Sequence, residues 1–376
     1  MKQRNVLLVI QPAYPERIKG IAQFARSHGW HLTIVDRLAR FPRGWRGDGA
    51  LVTLRGNAMT NQFVKGLVRD GIPVVDLTFN HPEIRLPRVS GDHEAFGRLA
   101  REHFVSLNFR HFAWFSTGWS HVHELRCGGF APDDRWVLGN LVATDEIDNW
   151  RLFLKVIGRK LQSAPKPLAI LTYDDADAAR ILSAALEAGL RVPEEVAIMG
   201  IGNDTVICEN QAVPLSSVDH DLEKNGYEGA ALLNRLMSTR RAPSNRRQAL
   251  STKLLPPRGI VVRKSTDTLA TDDPILSAAL REISKRLSTS FGVTEIAEAL
   301  NVPRTRLDRL FAEKFSRSAG KEIVRQRIEC AKRLLTTTDK PMKEIAALCG
   351  YCNAGYFTNA FRTETGLTPK TWRRGR

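Results

Sequence analysis

The feature that most constrains this chain is a helical segment near its carboxyl end that occurs twice, with a period of about fifty residues. Matching residues recur in order: Glu295-Ile296-Ala297 returns as Glu344-Ile345-Ala346, and Leu307 with Phe311 returns as Phe357 with Phe361. Each copy predicts a helix, a tight break and a second helix. Pro303 cannot continue the first helix, and Gly350 suits a helix carboxyl end. This arrangement is typical of a duplicated helix-turn-helix, whose second helices enter the major groove of DNA.

The predicted helices share an amphipathic pattern with short breaks between them. They are Val293–Leu300 and Arg304–Phe315 in the first copy, Met342–Cys349 and Ala354–Thr365 in the second, and Ile323–Leu335 between the copies. We expect the long middle helix to fix the separation of the two units. No strand-like alternation is found between Ile275 and Trp372, so an all-α domain is predicted there.

The apolar faces of the two second helices decide which side chains reach DNA. Leu307, Leu310 and Phe311 must be buried in the first, and Phe357 and Phe361 in the second. The candidate DNA contacts on the other faces are Thr305, Asp308 and Arg309, with Arg304 and Arg306 at the margins, and Thr358, Asn359 and Arg362. Arginine pairs well with guanine and asparagine with adenine.

The charge of the chain is concentrated in the same region. Residues 272–376 hold 20 Lys and Arg against 12 Asp and Glu, whereas the other 271 residues hold 36 against 28. The carboxyl-terminal part is therefore more than twice as basic per residue, as expected for a domain that neutralises phosphates.

Residues 1–264 alternate between short apolar runs and helical patterns. Predicted strands include Val6–Ile10, Ala50–Leu54, Leu168–Tyr173 and Val196–Ile201, and predicted helices include Ile18–Ala25, Phe96–Phe104, Ala176–Ala188 and Leu222–Leu236. This alternation predicts parallel sheets in two α/β lobes, which bind small molecules at the carboxyl ends of their strands. Residues 265–274 are polar and aperiodic and are predicted to be a linker between a sensor (1–264) and a DNA-binding domain (275–376).

The carboxyl-terminal domain resembles the AraC/XylS family of double helix-turn-helix regulators. The matching stretch runs from Arg327 to Arg373, and the residues in family positions are Ile345-Ala346, Gly350-Tyr351, Tyr356-Phe357, Phe361 and Gly366-Leu367-Thr368-Pro369. The resemblance implies base-facing side chains at Thr305, Asp308, Arg309, Thr358 and Asn359. Ala354 and Gly355 stand where longer polar residues are common in the family, which implies fewer base contacts there.

The amino-terminal part resembles the periplasmic-binding-protein-like sensor of LacI/GalR regulators, most closely over residues 168–204 and 213–237. This resemblance implies ligand contacts at Asp92, Arg126 and Asp175, and Tyr14 follows the first strand where it can add an aromatic or hydroxyl contact. Two positions depart from the family: Gly202 replaces an acidic residue, and His220 replaces a glutamine. Asn203 and Asp204, just behind Gly202, and His220 itself are the remaining candidate ligand contacts.

Together these observations predict a cytoplasmic, sequence-specific transcription regulator, expected to act as a homodimer on an operator in double-stranded DNA and to contact RNA polymerase. The resemblance implies a sugar as effector, first a pentose such as xylose, and activation of a carbohydrate-utilisation operon as the role. A sugar acid, favoured by Arg126 and His220, is the alternative effector. An orphan regulator whose sensor only dimerises is also left open by Gly202 and His220.

Other classes of function find little support in the sequence. An enzymatic amino-terminal half would need a Gly-x-Ser-x-Gly or Gly-x-Cys-x-Gly elbow, and neither occurs. The Cys349–Cys352 spacing has no second cysteine pair, so neither a metal nor a cofactor is predicted. No apolar run approaches the eighteen residues that a membrane span requires, and the amino terminus has no cleavage-site pattern, so no membrane or export signal is predicted.

Overall fold

The strands of the computed structural model follow the apolar runs closely. The structure describes residues 3–11, 14–35, 44–54, 58–118, 120–131, 136–141, 149–238 and 252–374. The strands in chain order are β1 (Arg4–Val9), β2 (Trp30–Ile34), β3 (Gly49–Val52), β4 (Val74–Asp76), β5 (Arg88–Gly91), β6 (His111–Phe115), β7 (Trp136–Leu141), β8 (Leu168–Thr172), β9 (Val196–Ile201), β10 (Ser216–Asp219), β11 (Thr252–Leu255) and β12 (Gly259–Val261).

Eight helices accompany these strands among the described residues, and seven more follow the last strand. The first group is α1 (Pro15–Ser27), α2 (Ala58–Arg69), α3 (His93–Ser106), α4 (His121–Phe130), α5 (Trp150–Ser163), α6 (Asp175–Glu187), α7 (Thr205–Glu209) and α8 (Leu222–Ser238). The second group is α9 (Pro274–Arg286), α10 (Val293–Ala299), α11 (Arg304–Phe315), α12 (Ala319–Thr337), α13 (Met342–Leu348), α14 (Ala354–Thr365) and α15 (Pro369–Arg374).

The strands form two six-stranded sheets, which confirms the two-lobed α/β prediction. Lobe 1 has the strand order β11-β5-β4-β3-β1-β2, and lobe 2 has the order β12-β10-β9-β8-β6-β7. All pairs are parallel except β10 with β12. The chain crosses between the lobes after β5, after β10 and between β11 and β12. These crossovers place Asp92 and His220 at the junction of the lobes.

Each sheet is covered on both faces, as parallel sheets require. In lobe 1, α1 and α8 pack on one another and on the apolar cluster that contains Val6, Ile21 and Leu233. In lobe 2, α5 and α6 cover one face through Phe153 and Ile181. The other face of lobe 2 is covered by α3 and α4. This packing brings the carboxyl ends of both sheets to the same gap between the lobes.

The segment predicted as a polar linker is not a solvated spacer. Lys264–Thr266 forms a 3-10 turn, and Ser265, Thr266, Thr268, Leu269 and Ala270 are buried. Ser265 N donates to Pro214 O at 3.0 Å, and Ala270 N donates to Leu107 O at 2.8 Å. Ser265 and Thr266 are hydrogen-bonded inside lobe 2, which the sequence pattern did not reveal, whereas Asp273 caps α9.

The carboxyl-terminal domain is helical throughout its described residues, as predicted. The observed α11 and α14 have the predicted bounds, whereas the middle helix α12 is longer than predicted. The break before α11 includes Asn301, in the left-handed region at φ 53°, and the break before α14 includes Gly350 at φ 73°. Phe311 belongs to the apolar cluster of the first unit and Phe361 to that of the second. The chain therefore folds into two helix-turn-helix units joined by α12.

Candidate ligand cleft and nucleic-acid interface

A cleft lies between the carboxyl ends of the two sheets. Its empty volume is about 720 Å³, with solvent at its mouth included. Five of the seven predicted ligand residues line it, namely Tyr14, Arg126, Asp175, Asp204 and His220. Five elements or connections from both lobes therefore meet at one concave site, which is the usual form of a small-molecule site.

The other two predicted ligand residues do not line this cleft. Asp92 caps α3, because its carboxylate accepts a hydrogen bond from Ala95 N at 3.0 Å. The Asn203 side chain turns away and accepts a hydrogen bond from Arg263 Nη2 at 2.9 Å. In both cases the polar group that was predicted to face the cleft instead forms a hydrogen bond within the protein, with a backbone amide for Asp92 and with a side chain for Asn203.

Asp175 forms the acidic wall of the cleft. It is the first residue of α6, and its carboxylate accepts hydrogen bonds from Ser217 Oγ at 2.6 Å and from Asp204 N at 2.8 Å. Burial raises the pKa of Asp175 to about 6, although these two hydrogen bonds act in the opposite direction. The carboxyl is thus held in one orientation, where it can accept hydrogen bonds from ligand hydroxyls.

The geometry at Gly202 explains why this chain lacks an acidic side chain there. Gly202 has φ 139°, a backbone conformation that residues other than glycine rarely adopt. A Cβ at this position would lie 3.0 Å from Asp175 Oδ2. The carboxylate of Asp175 therefore occupies the space that a side chain at position 202 would need.

Another part of the cleft lining is rich in nitrogen groups. Arg126 Nε donates to His93 Nδ1 at 3.2 Å, and Arg126 Nη1 donates to Tyr173 O. The Arg126 guanidinium also stacks over the Tyr173 ring, 4.8 Å from its centroid. The rings of His93 and His220 are in edge contact, with centroids 5.4 Å apart. Two of these four residues, His93 and His220, lie at the crossovers between the lobes.

The electrostatic potential at His93 is positive. Burial lowers the pKa of His93 well below its usual value, and the neighbouring Arg126, His220 and Arg17 lower it further. His93 is therefore a neutral imidazole that accepts from Arg126 at Nδ1, which leaves its proton on Nε2, 3.2 Å from Ser90 Oγ.

Sequence reasoning missed several residues of the cleft. Arg17 and His93 are buried and line it together with Asp174 and Tyr173. Arg17 reaches the site because its Nε donates to Asn225 Oδ1 on α8 at 2.8 Å. This contact joins residues 208 positions apart in the chain, so no local pattern could have revealed it. Only the position of Arg17 in the helix after β1 gave a hint.

The first recognition helix, α11, presents the predicted side chains to solvent. Arg304, Thr305, Arg306 and Arg309 are exposed and Asp308 is half-buried, while Leu307 and Phe311 are buried. Arg304 and Asp308 are 3.6 Å apart, and Arg309 and Glu313 are 3.7 Å apart. Such exposed pairs are weak, so the guanidinium groups are available to other anions at little cost.

The second recognition helix, α14, has the same orientation relative to its core. Asn359 and Arg362 are exposed, whereas Thr358 is half-buried and donates its hydroxyl hydrogen to Ala354 O at 2.8 Å. The Tyr356 side chain, which the helical-face argument did not select, is 65% exposed on the same helix. An exposed aromatic hydroxyl on this face adds a candidate contact with a DNA phosphate.

The separation of the two units is held by the start of α12. Glu322 is fully buried and accepts hydrogen bonds from Arg325 Nη2 at 2.7 Å and from Gln326 Nε2 at 3.0 Å. Arg327 Nη2 on the same helix donates to Thr289 O at 3.0 Å, in the connection between α9 and α10. The first two bonds stiffen the start of α12, and the third ties α12 to the connection that precedes α10.

Comparisons with known proteins agree with this two-part architecture. A periplasmic binding protein-like domain model matches residues 102–266, and a helix-turn-helix domain model matches residues 296–375. The chain is thus a DNA-binding transcription regulator that joins a periplasmic binding protein-like domain to a helix-turn-helix domain. Among described residues, no helix is long and apolar enough to span a membrane.

Regulators of a xylose operon are among the relatives. The xylose operon regulatory protein of Escherichia coli strain K12 is 26% identical over 390 aligned residues, which cover 98% of this chain and 96% of that protein. The xylose operon regulatory protein of Haemophilus influenzae is 31% identical over 213 residues, 57% of this chain and 54% of that protein.

Solved structures show the same fold. The structure of a xylose-binding transcription activator matches with a TM-score of 0.71 at 22% identity and covers 100% of this chain and 99% of that chain. A transcriptional regulator in complex with cellobiose matches with a TM-score of 0.57 at 20% identity and covers 70% of this chain and 84% of that chain.

Proposed function

We propose that this protein is a cytoplasmic, sugar-responsive transcription activator of a carbohydrate-utilisation operon. It binds operator DNA with α11 and α14, holds its effector between the two lobes, acts as a homodimer and contacts RNA polymerase. The observation that carries the proposal is the pairing of two exposed recognition helices with a cleft that contains a fixed carboxyl group, Asp175. The proposed domain limits are 1–264 for the sensor and 275–376 for DNA binding.

A pentose is the first candidate effector. Two relatives are named as regulators of a xylose operon, and one structural neighbour is named as xylose-binding. The cleft offers what a neutral sugar requires, because Asp175 and Asp204 supply acceptors for hydroxyl groups and Tyr14 and Tyr173 supply aromatic surface.

A sugar acid is the second candidate, favoured by the nitrogen-rich wall of the cleft. Arg17, His93, Arg126 and His220 line one side, and their combined field is positive at His93. A carboxylate placed there would form charge-assisted hydrogen bonds, while its hydroxyl groups could still reach Asp175.

Calorimetry with D-xylose and D-xylonate distinguishes these effectors. Replacement of Arg126 by Ala is expected to weaken the sugar acid more than the neutral sugar, because only the acid places a charge beside the guanidinium. Arg98→Ala is the matched control, since Arg98 lies on the exposed face of α3 in an i,i+4 pair with Glu94. If neither probe binds, and no other sugar or sugar acid binds, the protein is an orphan regulator and not a sugar-responsive one.

The DNA-binding part is tested separately by selection from a randomised duplex pool with the full-length chain. The two units should protect two segments of one site, because each places one helix in a major groove. A reporter driven by the selected site then distinguishes activation from repression. Recovery of sequences with no common motif would contradict sequence-specific binding.

A further inference from the structure

We propose that a buried hydrogen-bond network centred on Asn203 and Arg263 connects the cleft to the DNA-binding domain, with these two as positioning residues for the response to effector. The network runs from the cleft loop Gly202–Asp204, through lobe 2, to the segment 263–270. It rests on the proposed function only in that an effector occupies the cleft.

The network starts at the wall of the cleft. Gly202 and Asp204 line the cleft, and Asn203 lies between them in the left-handed region at φ 58°. The loop is held by Asp175 and by Ser217, whose Oγ accepts a hydrogen bond from Asn203 N at 2.9 Å. A ligand that draws on Asp175 or Asp204 therefore acts on the loop that carries Asn203.

Arg263 contacts this loop through Asn203, on the side away from the cleft. Its guanidinium is buried and donates through Nη2 to Asn203 Oδ1 at 2.9 Å and through Nη1 to Leu215 O at 2.9 Å. Nη2 is also 3.2 Å from Glu209 Oε1 on α7, the helix that Asp204 caps. A buried guanidinium with several fixed acceptors has one geometry, so a shift of Asn203 moves Arg263 or leaves a buried polar group unsatisfied.

The backbone after Arg263 is fixed by a second strand residue. Arg263 N donates to Ser216 Oγ at 2.8 Å, and Ser216 Oγ donates to Arg263 O at 3.0 Å. Ser216 N donates to Ser265 Oγ at 2.8 Å. The Ser216 and Thr266 hydroxyl oxygens are 2.7 Å apart. Ser216 and Ser217 are adjacent on β10, so one strand holds the cleft carboxyl of Asp175 and the start of this segment.

The segment then enters the DNA-binding domain. Ala270 is held by Leu107 and by Asn108, whose Nδ2 donates to Ala270 O at 3.0 Å. Leu269 and Ala270 share an apolar cluster with Leu276 of α9 and Leu307 of α11. Hydrogen bonds and buried apolar contacts thus connect the described residues from the cleft to the recognition helix, and a contiguous network of this kind can carry coupling between sites.

The sharpest test is Asn203→Gly. Glycine adopts φ 58° without strain, so the substitution removes the contact with Arg263 while keeping the backbone. Asn210→Ala is the matched control, because it removes an exposed amide that bonds Val206 O outside the network. Arg263→Lys is a second variant that keeps the charge but loses the planar set of donors.

DNA affinity is measured with and without D-xylose or D-xylonate, each at about ten times its Kd for that variant so that occupancy is equal. The wild type and Asn210→Ala are expected to change DNA affinity by a factor in the usual range of about 5–150 on effector binding. Asn203→Gly and Arg263→Lys should bring this factor to within about twofold of one. A wild-type factor in Asn203→Gly at equal occupancy overturns the proposal.

Hydrogen exchange without any effector tests the same connection if neither probe binds. Amides of residues 263–270 should exchange faster in Asn203→Gly than in the wild type. In Asn210→Ala they should exchange at the wild-type rate. Unchanged exchange across this segment would overturn the network, whereas absence of effector binding with faster exchange would contradict the proposed function alone.

Discussion

At the scale of single residues, Asp175 has the environment that most affects how the sensor responds to pH. It is almost completely buried, yet its carboxyl accepts two hydrogen bonds that fix its orientation. The folded protein therefore holds a proton on this group more tightly than the unfolded chain does. A raised carboxyl pKa means that the group contributes stability below its unfolded value, and that this contribution is lost as the pH rises.

Asp175→Asn should change the pH dependence of stability. With pKa values of 3.8 unfolded and about 6 folded, the wild type should lose free energy of unfolding relative to the variant as the pH rises from 4 to 6, by up to a few kcal/mol, and no further above that. Urea unfolding of both proteins between pH 4 and pH 7 measures the difference. Parallel curves would contradict the assignment.

Arg309 is expected to determine base preference. Arg309→Ala should weaken binding to the selected site by about 1–3 kcal/mol and relax preference at one base pair, because an arginine can donate two hydrogen bonds to guanine. Lys285→Ala, an exposed charge on α9, controls for net charge. Equal weakening on selected and scrambled DNA would make Arg309 a phosphate contact only.

At the scale of helices and turns, Gly350 links the second helix-turn-helix unit to the first. A Cβ at this position would lie 2.5 Å from Leu287 O and 2.6 Å from Thr289 O, in the connection after α9. The turn before α14 therefore approaches the backbone of the first unit too closely for any side chain. This contact, with Arg327 on α12, helps to set the spacing of the recognition helices.

Gly350→Ala and Gly366→Ala form a matched pair. Both glycines have φ near 74°, but the space around Gly366 is open. Gly366→Ala should cost about 1–2 kcal/mol, the conformational penalty alone, and Gly350→Ala should cost clearly more. Chemical unfolding of the full chain measures both. Equal losses would show that the turn can move away from α9.

The recognition helices could be predicted from sequence and much of the cleft could not. Leu307 with Phe311, and Phe357 with Phe361, define their helix faces by local spacing, and the predicted bounds of α11 and α14 agree with the structure. Arg17 and His93 reach the cleft only through the packing of α1 on α8 and the crossover after β5. Asn203 was predicted to contact ligand, but its orientation depends on Arg263, far along the chain.

At the scale of the whole molecule, the DNA-binding domain is attached through lobe 2. The buried segment 265–270 is hydrogen-bonded to lobe 2, and Leu269 and Ala270 extend its apolar cluster into α9 and α11. Beside this attachment, a cavity with an empty volume of about 1880 Å³, open solvent included, is lined by His103, Lys264, Arg325 and Trp372.

The fragment 270–376 should fold and bind the selected DNA on its own. The apolar cluster of the second unit lies wholly within the fragment. The cluster of the first unit is continuous with lobe 2, but its members from Leu276 to Ile323 lie within the fragment and pack on one another there. Its affinity should fall steeply with salt, because Lys and Arg side chains displace counterions from the phosphates. Fluorescence anisotropy between 50 and 200 mM salt, a range of about fourfold, tests this. An insoluble fragment, or one that fails to bind at low salt, would contradict it.

The segment 265–270 is attached to lobe 2 at a distance from the cleft, so a rotation of lobe 2 would displace this attachment. Helix α3 begins at His93 in the cleft and is followed by Leu107 at the attachment, so the two ends lie about 20 Å apart at 1.5 Å per residue. A rotation of lobe 2 by about 10°, typical of domain motions, would move the attachment by about 3 Å. That displacement is close to the spacing of about 3.4 Å between successive base pairs. Such a rotation on ligand binding would thus move the attachment of the DNA-binding domain by about one base-pair step.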